Sequence, residues 1–130
     1  MITATILLAA YAMYCAYYDT DHTPNHGWMF WVKRAIPGAI IALLFIPGWV
    51  IPCIYAGALY APIHRLMYNS IRGSDWYYIS ETSNGYDRFF HKYFGGPTEN
   101  HRKQAGYAAY IFEAAVIALC LFLLWQPQHT

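Results

Sequence analysis

Four long apolar segments, separated by polar stretches or by Pro and Gly, constrain this sequence most strongly. The helices that they predict cover about residues 1–18, 28–46, 49–71 and 99–126, and the last becomes apolar at Tyr107. An 18-residue helix rises about 27 Å, close to the roughly 30 Å hydrocarbon thickness of a bilayer. Apolar residues make up 58% of the chain and charged residues 12%, which is typical of membrane proteins rather than soluble ones. We therefore predict a single all-α membrane domain over residues 1–130. Its four transmembrane helices form an antiparallel bundle, and residues 72–98 form a polar cytoplasmic loop.

The connection at Pro47-Gly48 decides the number of spans. If the chain turns there, all eight Lys and Arg residues fall on one side of the membrane, as the positive-inside rule prefers. The alternative is one Pro-kinked helix over Ile36–Tyr60, which gives three spans and separates Lys33 and Arg34 from the other basic residues. We predict the hairpin, in the bacterial inner membrane, with both termini outside the cytoplasm.

The first apolar segment is expected to be retained as a helix. No Lys or Arg precedes Lys33, and Tyr17-Tyr18-Asp19 is a poor signal-peptidase site. Cys15, Cys53 and Cys120 lie in apolar segments without CxxC spacing, so we interpret them as packing residues.

Polar side chains at the cytoplasmic ends of the predicted helices form the main candidate site, which is either functional or structural. They are Arg34, His64, Arg65, Asn69, Arg72, Asp87 and Glu113. The four on the third segment, His64 to Arg72, share a helical face, although a charged cap at the headgroups explains them as well.

Two charged residues of this set suggest particular pairings. Glu113 is the acid inside a predicted span, so it is expected to face the interior and pair with an Arg or His, or to be protonated and bonded to a Tyr. Arg72 and Asp87 are expected to form a structural ion pair. The run DRFFHKYF, from Asp87, predicts a short amphipathic helix at the membrane interface.

A metal site is an alternative use of the turn after the first segment. Asp19, Asp21, His22 and His26 lie close together there, and His64 could approach from the third segment. Pro24 argues against a helix that would align the two histidines. We predict no cofactor, with a divalent metal at Asp21, His22, His26 and His64 as the alternative.

Two groups of residues carry a resemblance to known proteins. One is the turn Asp21-His22 to Asn25-His26; the other is the run Tyr68-Asn69, Arg72-Gly73, Trp76-Tyr77-Tyr78, Thr82-Ser83 and Asp87. In these residues the chain resembles small multi-pass membrane proteins encoded by phages and prophages. The resemblance covers about residues 12–87 and implies no activity.

The leading functional hypothesis is a phage-related inner-membrane protein that acts by association with itself or with another membrane protein. Ala56-Gly57-Ala58 would allow close helix approach. A membrane-embedded metal-dependent enzyme is one alternative. A holin-like lysis protein is another, although the basic tail of many holins is missing. The net charge of +1 argues against nucleic-acid binding, which leaves the lipid bilayer and membrane proteins as expected partners.

Overall fold

The computed structural model describes residues 1–21, 28–79 and 85–126, and this part of the chain is helical without strands. The helices are α1 (Ile2–Asp21), α2 (Trp28–Phe45), α3 (Val50–Ile71), α4 (Gly85–Phe94) and α5 (Glu99–Trp125). The predicted all-helical class is therefore confirmed. Of the helices described, α5 is the one that is long and apolar enough by itself to cross a membrane.

The central element is α3, which packs against α1, α2 and α5, while α4 packs on α5. Thr5 near the start of α1 bonds Tyr55 near the start of α3, with 2.8 Å between the hydroxyl oxygens, so α1 and α3 run in the same direction. Asp19, in the last turn of α1, binds both Arg34 near the start of α2 and His64 in the second half of α3. Glu113 of α5 binds Arg65, which also lies in the second half of α3. Thus α2 and α5 run opposite to α1 and α3.

The chain reverses between α2 and α3, as the Pro47-Gly48 pair predicts. Gly48 has φ +105°, a left-handed conformation that glycine adopts without a Cβ penalty. Pro52 lies in the first turn of α3, where its missing N–H is not needed for a helical bond. Since α2 ends at Phe45 and packs on α3, the continuous kinked helix over Ile36–Tyr60 is not formed.

Alanines and a cysteine make up four of the seven core residues along α3, and these small side chains let the helices approach closely. The core there consists of Ala4, Leu8, Ala42, Ile46, Tyr55, Ala56 and Cys120. Large apolar side chains lie instead on the outer faces; on α2, Ile36, Ile40 and Leu44 are exposed at a spacing of four residues. These three side chains form an apolar stripe along the outer face of α2.

Residues 72–98 are not a loop throughout, because α4 forms within them. Phe90 is buried against Phe112 of α5, with ring centroids 5.9 Å apart, whereas Phe89 and Tyr93 remain exposed. The helix predicted from DRFFHKYF is thus present and begins at Gly85. Its first turn carries Tyr86 and Asp87 toward the second half of α3.

Gly106 gives a direct test of how the segment after α3 packs on α5. A Cβ at this buried glycine would lie 2.0 Å from the carbonyl oxygen of Tyr77. We expect Gly106→Ala to lower the unfolding free energy in detergent by about 1–3 kcal/mol, because backbone must move. Gly57→Ala is the matched control: its Cβ meets nothing within 4 Å, so alanine's higher helix propensity should leave the stability unchanged or raised. Equal effects of the two substitutions would contradict this packing.

Candidate functional site

A cavity of about 1030 Å³ runs along α3, with α2 on one side and α4 and α5 on the other. It is lined by all of the polar residues singled out in the sequence as the candidate site: Arg34, His64, Arg65, Asn69, Arg72, Asp87 and Glu113. They come together because α2 and α5 run opposite to α3. The cavity has a polar end at these residues and an apolar part built mainly from small side chains.

The first group of charges, which we call the Asp19 cluster, consists of Asp19, Arg34 and His64. Arg34 donates from Nη2 to Asp19 Oδ1, and His64 Nε2 lies 2.9 Å from Asp19 Oδ2. The other guanidinium nitrogen of Arg34 donates to Cys15 Sγ at 3.1 Å. Asp19 is only 4% exposed, so both of its carboxylate oxygens are bound by side chains instead of by water. The cluster fastens the end of α1 to α2 and α3.

The second group, the Glu113 cluster, consists of Arg65, Tyr86, Asp87 and Glu113. Arg65 donates to both carboxylate oxygens of Glu113, at 3.0 and 2.9 Å, in a bidentate pair. Tyr86 donates to Glu113 Oε1 at 3.0 Å, and Asp87 Oδ1 lies 3.9 Å from Arg65 Nη2. Glu113 is 1% exposed and thus faces the interior. Of the partners considered for it in the sequence, an Arg and a Tyr bind it together, with Tyr86 as a donor to the carboxylate.

The phenol of Tyr86 is held in its donor form. Its burial and the adjacent Glu113 carboxylate both raise the pKa of Tyr86, since a phenolate would be poorly solvated and repelled there. Tyr86 therefore stays protonated and donates to Glu113. Through this bond the first turn of α4 is joined to the ion pair between α3 and α5.

Arg72 and Asp87 do not form the ion pair expected from the sequence. Arg72 Nη1 donates to the Tyr68 hydroxyl at 2.7 Å, and its guanidinium carbon lies 5.3 Å from the centroid of that ring. Asp87 lies beside Arg65 instead. The difference arises because Asp87 belongs to the first turn of α4, which packs on α5, rather than to a loop that folds back under Arg72.

Asn69 binds the backbone of the segment that follows α3. Its side-chain amide donates to the carbonyl oxygens of Trp76 and Tyr78, at 3.3 and 2.8 Å. Tyr110 of α5 donates to the same Trp76 oxygen at 2.8 Å. These bonds hold the segment after α3 across the polar end of the cavity.

Four side chains spaced four residues apart, on α3 and its C-cap residue Arg72, form a ladder along one wall of the cavity: Tyr60, His64, Tyr68 and Arg72. The His64 ring stacks between Tyr60 and Tyr68, at centroid distances of 5.2 and 5.8 Å. Arg72 continues the ladder over Tyr68. Stacking at this spacing orients His64 toward Asp19 and leaves Arg72 exposed at the open end.

The proposed metal ligands are only partly within the described residues. His22 and His26, together with the side chain of Asp21, lie outside them. His64 is described, and it binds Asp19. Within the described part of the chain, no group of three or more His, Cys, Asp or Glu side chains is arranged to hold a metal ion.

Two members of the clusters were not among the candidate polar residues. Asp19 belongs to the alternative metal site in the sequence, but an acid at the end of one apolar segment and Arg34 near the start of the next are typical of an ion pair between neighbouring helices. Tyr86 gave no such signal, because its contact with Glu113 depends on how α4 packs. No protein-family model, curated protein or solved structure matches this chain.

Removing one charge of the Glu113 cluster should be costly. Glu113→Gln leaves the buried Arg65 guanidinium without its bidentate partner, so we expect a loss of roughly 3 kcal/mol in the unfolding free energy measured in detergent. Glu99→Gln is the matched control, because Glu99 is exposed and pairs with Lys103 at 3.7 Å on the helix surface. Its loss should cost under about 1 kcal/mol. A Glu113→Gln protein as stable as the control would contradict a structural role for the pair.

Proposed function

We propose that the chain is an integral membrane protein in which α1, α2, α3 and α5 cross the membrane as an antiparallel bundle. The observation that supports four spans is the exposed apolar surface that all four helices share. Ile6 of α1, Ile40 of α2, Ile54 of α3 and Phe122 of α5 are each about half exposed or more. In lipid, such side chains need no further cover. Asp19, Arg34 and Arg65, which lower the apolar character of α1, α2 and α3, are each paired with an opposite charge in the two clusters.

The proposed orientation has both termini outside and the charged end of the helices in the cytoplasm. All eight Lys and Arg residues occur in or next to the start of α2, the second half of α3, α4 and the start of α5. Those segments lie at the same end of the proposed bundle. An accumulation of basic residues on one side favours that side as cytoplasmic.

Thiol labelling in intact cells tests the spans. In a background without Cys15, Cys53 and Cys120, a cysteine at Trp49 should react with an impermeant maleimide, because Trp49 is exposed in the turn between α2 and α3. A cysteine at Ser74, after α3, should react only after the cells are opened. If Ser74→Cys reacts in intact cells while Trp49→Cys is protected, the orientation is reversed; protection of Trp49→Cys in opened cells as well would contradict the hairpin.

Within this bundle we assign the function to the cavity: the protein binds a component of the membrane there. The carrying observation is that one cavity combines paired charges at its polar end with an apolar part between α2 and α5. Ligand sites usually combine a mainly apolar lining with a few convergent polar groups in this way. The helices that line its apolar part, α2, α3 and α5, are proposed spans, so this part opens to lipid.

A spin label at Ala61 tests whether the cavity opens to hydrocarbon. Ala61 lines the cavity about 17 Å along α3, near the middle of that helix. On Ala61→Cys in vesicles, we expect strong relaxation by oxygen and weak relaxation by a water-soluble nickel chelate. A label at Trp49 provides the water-exposed control. Relaxation of the Ala61 label by the chelate to the level of the Trp49 label would contradict a lipid-facing cavity.

Association with another copy or with another membrane protein is a second proposed function. It is favoured by the outer face of α5, where Ala114 and Ala118 are exposed one turn apart between bulky neighbours. Small residues at this spacing allow close approach of a second helix. Native mass spectrometry in detergent should show an oligomer or a bound partner, and a strict monomer would count against it. The phage-related and holin-like interpretations and the metal-dependent enzyme stay predictions.

A further inference from the structure

The charges that line the cavity are not all paired in the same way. Asp19 pairs with Arg34 and His64, while Glu113 and Asp87 both lie within 4 Å of Arg65. Each lining carboxylate therefore has a cationic partner. Arg72 differs: among the described residues no carboxylate lies within 4 Å of it, and the contacts of its guanidinium are with Tyr68.

Arg72 lies at the depth where lipid phosphates are found in the proposed bundle. It directly follows α3, whose 22 residues rise about 33 Å and so reach from one membrane interface to the other. The bond to Tyr68 orients the guanidinium along the cavity wall, and the side chain remains exposed. A guanidinium so positioned can donate two hydrogen bonds to a phosphate.

The apolar part of the cavity continues from this position toward the membrane centre. Gly57 precedes Arg72 by 15 positions, so it lies about 22 Å further along α3, beyond the middle of a 30 Å hydrocarbon layer. Gly38 and Ala39 of α2 and Ala61 of α3 line the space between. A Cβ at Gly57 would have no neighbour within 4 Å, so the cavity has free space at this position.

The lining favours a lipid over a helix as the occupant. The exposed Arg72 guanidinium at one end can bind a phosphate, whereas a membrane-spanning helix is mainly apolar. The rest of the lining is mainly small and apolar and follows α3, a proposed span. An extended acyl chain is narrower than a helix and lies alongside spanning helices, so it matches this direction.

We propose that the cavity binds one phospholipid with a net-negative headgroup, its phosphate on Arg72 and an acyl chain along Gly38, Gly57 and Ala61. The inference rests on the proposed function and specifies the bound component. Attraction between Arg72 and the headgroup selects anionic lipids, and the small side chains along α2 and α3 leave room for the chain. Ion pairing keeps the lining carboxylates from repelling the headgroup.

Native mass spectrometry of the delipidated full-length protein provides the test. Phosphatidylglycerol should bind one to one and more tightly than phosphatidylcholine with the same chains. Arg72→Gln should weaken phosphatidylglycerol binding by roughly fivefold, the effect of one cation near a headgroup, and should reduce the preference over phosphatidylcholine. Lys33→Gln, which removes an exposed cation outside the cavity lining, is the matched control and should leave the affinity unchanged.

A second variant tests the chain rather than the headgroup. Gly57→Leu combined with Ala61→Leu should fill the apolar part of the cavity and reduce binding of both lipids. The proposal would be overturned if the wild-type protein bound the two lipids equally, or if the Arg72→Gln protein bound them like the Lys33→Gln protein. Displacement of lipid by inorganic phosphate would also overturn it, and would indicate a site for a free anion. Loss of self-association in the double variant with lipid binding intact would show that a helix occupies the cavity. The labelling experiment with Trp49 and Ser74 separates these outcomes from a failure of the proposed spans.

Discussion

The bidentate ion pair between Arg65 and Glu113 is the interaction on which the rest of the structure depends. Both side chains are buried between apolar helices, where an unpaired charge is expensive. Pairing fixes the register of α5 against α3, because only one relative position of the two helices brings both carboxylate oxygens to the guanidinium. Tyr86 then attaches α4 to the same carboxylate. In the same way, Asp19 joins α1 to α2 and α3, as Glu113 joins α5 to α3 and α4.

The cavity is a consequence of these two clusters. Each cluster joins α3 to a different set of helices, so α2 and α4–α5 are held on opposite sides of α3 and a space remains between them. Most of the residues that line the apolar part are small, and they do not fill it. The ladder from Tyr60 to Arg72 lies along its wall and carries polar character from the Asp19 cluster to the open end. Charge pairing, helix spacing and the proposed lipid site therefore have one common origin.

Much of the architecture could be predicted from the sequence, because it depends on local signals. Apolar length predicts the long helices, and Pro47-Gly48 predicts the reversal between α2 and α3. Antiparallel neighbours then bring polar residues from distant segments to one end, which is why the candidate residues share a cavity. What failed depends on packing. The sequence predicts Arg72 as the partner of Asp87, whereas the structure has Arg65, because α4 packs on α5. The contact of Tyr86 with Glu113 has no periodic signal in the sequence.

A double-mutant cycle on Arg65 and Glu113 tests most directly whether charge pairing organises these helices. Arg65→Met and Glu113→Leu each leave a buried charge without its main partner, whereas the double variant replaces the pair by apolar side chains. Unfolding free energies in detergent should show each single variant to be less stable than the double variant, with a coupling energy of about 2–3 kcal/mol. Additive losses, with a coupling energy near zero, would contradict the account.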